Sequence, residues 1–272
     1  MGTTARRLCC PGVEVRRGWT ARRAASAAAR RIPHRPFRLL MPVRVWRGLF
    51  RFWLSVLAAQ PDKRRAVREL LTSYDDVYRR LDQAAIAYDG GVHVKHRLTR
   101  YHDFFVERVR PGERVLDLGS GKGELAHDLV VRSGASVVGI DNDPSHLSFA
   151  RSRFRDDRLE FREGDLPKGI PEGHFDVVVM SNVLEHIDDR TELLRAVVAS
   201  AAPSRLLFRV PVYARDWTVP LKEEVGLPPY WDPDHEIEYD PRTFESELSE
   251  AGLEVSELVV NWGEIWAVAA PR

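Results

Sequence analysis

The chain has 272 residues, of which 44% are hydrophobic, so it can bury a full α/β core and still leave an extension. The net charge is only +1, but the charges are unevenly distributed. Residues 1–70 carry 17 Arg and Lys against 3 Asp and Glu, whereas the remaining residues carry 24 Arg and Lys against 37 Asp and Glu. This division favours a contact with an acidic surface or a functional tail. The adjacent pair Cys9 and Cys10 excludes a disulfide framework and favours the reducing cytoplasm.

Residues 1–40 are predicted to be poorly folded, because they are rich in Arg, Ala and Gly without apolar periodicity. Three interpretations are open: an Arg-rich transit-like segment, a nucleic-acid-binding arm, or an over-long reading frame that truly starts at Met41. We favour the last, since Met41 directly precedes the first periodic segment. A nucleic-acid partner is therefore not expected.

Residues 43–59 predict an amphipathic helix. Arg44, Arg47 and Arg51 fall on one side at helical spacing. The opposite side carries Trp46, Leu49, Phe50, Trp53 and Leu57. Basic and aromatic faces of this kind suit a helix lying on an anionic membrane surface, and packing of the apolar face on its own domain or on a partner subunit is the alternative. No apolar window reaches the roughly 18–20 residues that a membrane span needs.

A buried strand at residues 115–118 runs into a glycine turn that opens a helix. The glycines are Gly119, Gly121 and Gly123, so the third comes one residue earlier than the dinucleotide pattern Gly-x-Gly-x-x-Gly requires. Asp117 beside the turn suits a ligand with a cationic amino group rather than a pyrophosphate. A tight βα turn that binds nothing is the alternative.

Three further strands follow at the separations of alternating βα units. The second strand, 136–140, ends in Asp141, where a carboxylate can accept both hydroxyls of a ribose, and Asn142-Asp143-Pro144 then starts a helix. The third, 158–162, leads to Asp165 and Leu166, and the fourth, 175–180, leads to residues 181–187. Taken singly, Asp141 and Asp165 could equally be ordinary strand-end carboxylates.

Together these motifs resemble the class I S-adenosylmethionine-dependent methyltransferases, in particular the type 11/12-like enzymes of bacterial surface-glycan clusters. The resemblance rests on Asp117 with its glycine turn, on Asp141, on Asp165 and on residues 183–186, and it covers about residues 112–272. It implies an α/β fold: a Rossmann-like doubly wound sheet of seven strands with an antiparallel terminal hairpin, preceded by N-terminal helices. The implied domains are 1–40, disordered or over-long; 41–111, the amphipathic helix and a cofactor lid; and 112–272, catalytic.

The resemblance also implies roles for individual residues toward S-adenosylmethionine. Asp117 and the turn from Gly119 to Gly123 would hold the methionine moiety, and Asp141 would hold the ribose. Asp165 would accept from the adenine amino group, with Leu166 offering its backbone amide. The implied cofactor site is completed by Asn142 and Asn182.

The segments around this core fit the same family. Helices are expected from 188–191 to about 202 and from 240 to 252, with a fifth strand at 205–210 and a hairpin of 253–260 and 265–270. In this class, helices ahead of the first strand often close over the cofactor. The polar cluster after Gly90-Gly91, with His93, Lys95, His96, Arg97 and His102, is therefore interpreted either as lid or substrate-pocket residues or as a solvated cap helix.

Acceptor specificity is assigned to the irregular insertion 211–239, because α/β folds bind ligands in loops at the carboxyl ends of their strands. Its candidate side chains suit hydroxyl-rich or flat acceptors: Tyr213, Arg215, Asp216, Trp217, Tyr230, Trp231, Asp232, Asp234, His235, Glu236 and Tyr239. The alternative is a loop that packs on itself.

Methyl transfer to an alcohol needs an aligned acceptor and a group that takes its proton. His186 is the first candidate base and His235 the second. The run 182–186 is also similar to the Glu-x-x-Glu-His metal motif of ubiquinone and small-RNA O-methyltransferases, although Asn182 replaces its first glutamate. Glu185, His186 and His235 could thus hold a divalent ion; otherwise Glu185 is structural.

Three function classes remain. The first is O-methylation of a hydroxyl on a glycan or glycolipid-linked sugar, by a cytoplasmic protein that contacts the inner face of the membrane peripherally. The second is methylation of a small metabolite, such as a quinone, phenol or amine. The third, less favoured because the cofactor motifs are intact, is a non-catalytic cofactor-binding module.

Overall fold

The computed structural model describes residues 42–230 and 232–272. Its contacts divide the chain into two units, one ending at Trp53 and the other spanning Leu54–Arg272. The predictions for residues 1–40, for a start at Met41 and for Trp231 lie outside the described residues. The domain boundaries at 40/41 and 111/112 stay predictions.

Four helices precede the sheet: α1 (Val43–Ala58), α2 (Lys63–Tyr88), α3 (Lys95–Thr99) and α4 (Tyr101–Val106). Helix α2 begins at an N-cap in which the Asp62 carboxylate accepts from the Arg65 amide at 3.1 Å. Across the part of the chain that is described, the longest apolar stretches within helices fall short of what a bilayer crossing requires.

Helix α2 packs on a short helix of the insertion, α8 (Thr218–Glu224). The Lys222 ammonium is fully buried and lies 2.7 Å from the Asp75 carboxylate of α2. Two arginines of α2 donate to carbonyls at the end of α8: Arg64 to Glu224 at 2.9 Å, and Arg68 to Val225 at 2.6 Å. These bonds occupy carbonyls that a helix C-terminus leaves without partners.

The sheet has seven strands in the order β3-β2-β1-β4-β5-β7-β6. The strands are β1 (Arg114–Leu118), β2 (Ser136–Asp141), β3 (Leu159–Glu163), β4 (Val177–Ser181), β5 (Arg205–Pro211), β6 (Leu253–Asn261) and β7 (Glu264–Pro271). The first five pair in parallel, and β7 pairs antiparallel with both β5 and β6. The predicted Rossmann-like sheet with an antiparallel terminal hairpin is confirmed.

The remaining helices are α5 (Glu124–Asp128), α6 (Pro144–Arg153), α7 (Arg190–Ala201) and α9 (Pro241–Glu250). Helices α6, α7 and α9 start at aspartate caps, with Asp143, Asp189 and Asp240 each accepting a backbone amide of the first turn. Helix α5 is short, because a π-helical turn (Leu129–Ser133) follows it directly.

Two apolar layers enclose the sheet, as an α/β architecture requires. Alternate residues of the central strands point to opposite layers: Leu116 and Met180 belong to one, and Val115 and Val179 to the other. Both faces are thereby covered. The carboxyl ends of β1, β2, β4 and β5 are left to the loops, which is where a parallel sheet of this type binds its ligands.

Candidate active site

The glycine turn after β1 is shaped by close neighbours. Gly119 and Gly123 have positive φ angles of 71° and 81°. A Cβ on Gly119 would lie 2.6 Å from Val183, and one on Gly123 would lie 2.5 Å from Phe161, so only glycine fits either position. A Cβ on Gly121 would meet nothing within 4 Å, so the turn faces open space at its middle residue.

Asp117 is buried beneath this turn without a hydrogen-bond partner for Oδ2 among the described residues. Burial, followed by the nearby Asp141, raises the pKa of Asp117 to about 8. A buried carboxyl without a partner is costly unless something neutralises it. A ligand with a cationic amino group is the complement of this position, as the sequence predicts.

Asp141 ends β2 directly against the turn. Its Oδ2 accepts from the Gly121 amide at 2.7 Å, and its Oδ1 accepts from the Asp143 amide at 2.9 Å. Asn142 is exposed beside it and donates to Asp165 at 3.4 Å. Asp165 is exposed, and Leu166 is partly buried against the core. The structure thus brings the residues predicted for ribose and adenine to adjacent strand ends.

Asn182 and Glu185 lie after β4. Asn182 has a left-handed backbone with a φ of 57°, and its backbone amide donates to the Arg209 carbonyl at 2.7 Å. Its Oδ1 is buried and has no hydrogen-bond partner among the residues that the structure describes. Glu185 is fully buried, and neither of its carboxylate oxygens has a hydrogen-bond partner in the described ranges. Burial raises the pKa of Glu185 to about 8.

His186 and His235 pack edge to face, with ring centroids 4.8 Å apart and an interplanar angle of 75°. His186 Nδ1 lies 3.3 Å from the Asp234 carbonyl, and His235 Nδ1 lies 3.2 Å from the Glu238 carboxylate. Each contact favours a proton on Nδ1, because both partners are acceptors, and leaves the Nε2 lone pair available. Burial, followed by the neighbouring His186, lowers the pKa of His235 to about 4.

The three residues weighed as a possible metal site come together. One ligand atom each from Glu185, His186 and His235 lies within 4.8 Å of the others. The contacts at both Nδ1 atoms are those that orient metal-bound histidines. Glu238, which holds His235, is itself buried and paired with Arg215. The donor set fits a divalent ion.

The insertion contains less acceptor surface than the sequence predicts. Tyr239 was predicted to contact the acceptor; this is wrong, because the ring is fully buried in the core and its hydroxyl donates to Glu247 at 2.9 Å. Tyr213 donates to Glu223 at 2.6 Å. Trp217 has 73% of its surface exposed and is open to a ligand.

Arg209 and Tyr101 were not identified from the sequence as residues near the site. Arg209, at the end of β5, is buried; its guanidinium lies 3.8 Å from the ring centroid of Tyr101 and 3.0 Å from Glu264. No spacing in the chain relates Tyr101 to Arg209, so the sequence offered no signal for this contact. His102 is also buried, which excludes a fully solvated cap helix.

Comparison with known proteins identifies the family. The methyltransferase-domain family matches residues 91–258, more than half of the chain. The ribosomal protein L11 methyltransferase of Burkholderia orbicola (strain MC0-3) is 40% identical over 102 residues, which are 37% of this chain and 32% of that protein. The ubiquinone biosynthesis O-methyltransferase of Bordetella parapertussis is 36% identical over 101 residues, or 36% and 42% of the two chains. The matched segments therefore span less than half of these curated relatives.

A solved structure supports the fold. The TehB-like SAM-dependent methyltransferase from Corynebacterium glutamicum superposes with a TM-score of 0.50 at 18% identity, over 74% of this chain and 100% of that chain. At this identity the likeness concerns the fold, and the family match carries the assignment. The chain therefore belongs to the methyltransferase-domain family and, by its sheet and glycine turn, to the class I S-adenosylmethionine-dependent methyltransferases.

Proposed function

We propose that this protein methylates a hydroxyl oxygen of an acceptor bound at the carboxyl ends of β4 and β5. The observation that carries the proposal is the group of Glu185 and His186, which follow β4, with His235 of the insertion after β5. S-adenosylmethionine, when bound, supplies an electrophilic methyl group. What the chain must add is alignment of the acceptor and removal of its proton.

The cofactor site follows the strand ends. Asp117 and the turn from Gly119 to Gly123 hold the methionine part, and the Asp117 carboxyl, whose Oδ2 has no partner among the described residues, receives its amino group. Asp141 with Asn142 holds the ribose, while Asp165 and the Leu166 amide hold the adenine. Asn182 completes the site with its unpartnered Oδ1.

His186 and His235 act on the acceptor in one of two ways. In the first, the Nε2 lone pair of His186 accepts the hydroxyl proton, with His235 as a second base. In the second, Glu185, His186 and His235 would hold a divalent ion, which would lower the pKa of the acceptor hydroxyl. The contacts at both Nδ1 atoms support the second version, since they match the outer contacts of metal-bound histidines.

We propose a sugar of a glycan or glycolipid as the acceptor. Trp217 offers an exposed aromatic face in the insertion. Exposed carboxylates follow it in the chain, at Asp232, Asp234 and Glu236, and carboxylates accept hydrogen bonds from sugar hydroxyls. This combination supports a hydroxyl-rich acceptor.

Helix α1 supports a lipid-linked acceptor. No residue of the helix is buried, and its exposed apolar side chains include Trp46, Phe50 and Trp53. Arg44 and Arg47 are exposed as well. A helix of this composition binds in the interface of an anionic membrane, so we propose peripheral binding at the cytoplasmic face.

A small metabolite is the second candidate acceptor. The relative from Bordetella parapertussis is named for O-methylation in ubiquinone biosynthesis, which favours a phenol or quinone over an amine. A non-catalytic module that only binds the cofactor is the third possibility and has less support.

The test incubates the full chain with methyl-labelled S-adenosylmethionine and three acceptor sets: methyl hexosides, extracted membrane glycolipids, and catechols. We expect label in the first or second set. Label in catechols alone would replace the glycan with a small phenol. Saturable cofactor binding without label in any set would overturn the proposed O-methylation of these acceptors and favour the cofactor-binding module; Asp117→Asn, in which the cofactor site is weakened, is the matched control.

A further inference from the structure

A continuous chain of hydrogen-bonding groups runs from the carboxyl end of β5 to the protein surface. The Tyr101 hydroxyl lies 3.3 Å from Nδ1 and 3.4 Å from Nε2 of His96. His96 Nδ1 lies 3.1 Å from His102 Nε2, and His102 Nδ1 lies 2.8 Å from an Asp128 oxygen. Four side chains from helices α3, α4 and α5 are thus in series.

The direction of hydrogen-bond donation in this series of side chains follows from Asp128, the residue at its surface end. The Asp128 carboxylate only accepts, so His102 carries its proton on Nδ1 and presents a lone pair at Nε2. His96 must then donate from Nδ1 to that lone pair, which leaves His96 Nε2 as an acceptor for the Tyr101 hydroxyl. Every group donates toward Asp128.

The inner end of the chain lies beside the acceptor position. The Tyr101 ring stacks on the Arg209 guanidinium, and the Arg209 carbonyl accepts from the Asn182 amide. Arg209 and Ser181 are partners in the register of β5 and β4. Tyr101 therefore borders the strand ends at which the acceptor is proposed to bind.

The outer end can release a proton. The Asp128 side chain has 30% of its surface exposed and also pairs with Arg132 at 3.3 Å. Burial opposes ionisation of Asp128, but the hydrogen bonds from His102 and Arg132 outweigh it and hold its pKa below the usual value. A proton that reaches Asp128 is thus passed to water at neutral pH.

We propose that Tyr101, His96, His102 and Asp128 form a proton relay that carries the proton of the acceptor hydroxyl to solvent. The inference rests on the proposed O-methylation in its second version, in which His186 and His235 hold an ion and neither Nε2 is free to take a proton. Tyr101 would touch the acceptor, and the other three residues act through it.

In this relay each histidine ring gains one proton and loses another, so both rings stay neutral. The acceptor O–H bond breaks; its electron pair forms the bond to the methyl carbon as the carbon–sulfur pair returns to sulfur. Its proton goes to the Tyr101 oxygen, the Tyr101 proton goes to His96 Nε2, and the His96 Nδ1 proton goes to His102 Nε2. The His102 Nδ1 proton then goes to Asp128. Burial, followed by the nearby His102, lowers the pKa of His96 to about 3, which suits a residue that passes a proton on.

The first test is nitrogen NMR of ¹⁵N-histidine in the full chain at neutral pH, with His96→Gln and His102→Gln to assign the signals. We expect both rings to be neutral and protonated at Nδ1. A proton on Nε2 of either ring, or an imidazolium, would overturn the relay. This readout needs no acceptor, so it stands even if the proposed function fails.

The second test compares two probes, a methyl hexoside and 4-nitrophenolate, which has no proton to lose. We expect His102→Gln to slow hexoside methylation by about 10²-fold and to change phenolate methylation by less than about threefold. His174→Gln, on an exposed histidine outside the site, is the control and should change neither rate. An equal loss of methylation rate on both probes would instead indicate that the hydrogen-bonded series has a structural role. If the wild type methylates neither probe, the three acceptor sets described above decide the proposed function, and the protonation of His96 and His102 decides the relay.

Discussion

Replacing Asp117 with asparagine should stabilise the empty protein and weaken cofactor binding at the same time. The unfolded carboxyl titrates near 3.8 and the folded one near 8, so the folded state binds the extra proton between these values. A raised acid pKa therefore contributes a penalty that is absent below pH 4, grows as the pH rises, and is complete above pH 8.

The size of the effect follows from the same two values. At pH 7 about three pKa units separate the unfolded carboxyl from the solution pH, and each unit corresponds to about 1.4 kcal/mol, which gives an upper bound of about 4 kcal/mol. Asparagine has nearly the same shape and does not ionise. We expect Asp117→Asn to raise the free energy of unfolding by about 2–4 kcal/mol, and Tm by about 5–15 °C.

Cofactor affinity should move in the opposite direction. Loss of a hydrogen bond to a charged group costs about 1.5–3 kcal/mol, so the Kd for S-adenosylmethionine should rise about 10- to 100-fold. Scanning calorimetry from pH 5 to pH 8 should show the Tm difference widening with pH, and titration calorimetry gives Kd. A variant with a lower Tm and an unchanged Kd would refute the reasoning.

Three further changes test the proposed site. Asp141→Ala should raise the Kd for S-adenosylmethionine by about 10- to 100-fold in titration calorimetry, because it removes the carboxylate that meets the turn at Gly121; an unchanged Kd would remove Asp141 from the site. His186→Ala should lower turnover by about 10²–10⁴-fold while sparing cofactor affinity, and the wild type should lose activity in EDTA and recover with Mg²⁺ or Mn²⁺ if the ion-binding version holds. Near-normal turnover in that variant would exclude both versions. Removing residues 1–60 should abolish salt-sensitive sedimentation with anionic liposomes, whereas starting at Met41 should leave cofactor binding unchanged; full-length protein that never sediments would exclude the membrane role of α1.

The parts of the fold predicted correctly are those encoded locally. Strand β1, its glycine turn and the caps at Asp143, Asp189 and Asp240 each depend on a few adjacent residues, so the sequence alone indicates them. The order of βα units then brings Asp141 to the turn, because parallel strand ends meet at one edge.

The parts that were missed depend on residues distant in the chain. His102 and Asp128 are 26 positions apart, and Tyr101 meets Arg209 only after β5 has joined the sheet. Tyr239 was misassigned for a similar reason: its burial depends on α9, since its hydroxyl donates to Glu247 of that helix. Local patterns report composition, whereas these contacts are set by tertiary packing.

The ion pair of the buried Lys222 with the partly exposed Asp75 has a mechanical consequence. Separating the pair leaves the Lys222 ammonium buried without compensation, at a cost of about 3–5 kcal/mol, so α2 and α8 should move as one piece. Helix α2 has 26 residues and is about 39 Å long. At its far end it leads through Gly90 and Gly91, both at positive φ, to the helices that carry His96 and Tyr101. The ion pair therefore fixes the insertion to the element that directly precedes these two helices in the chain.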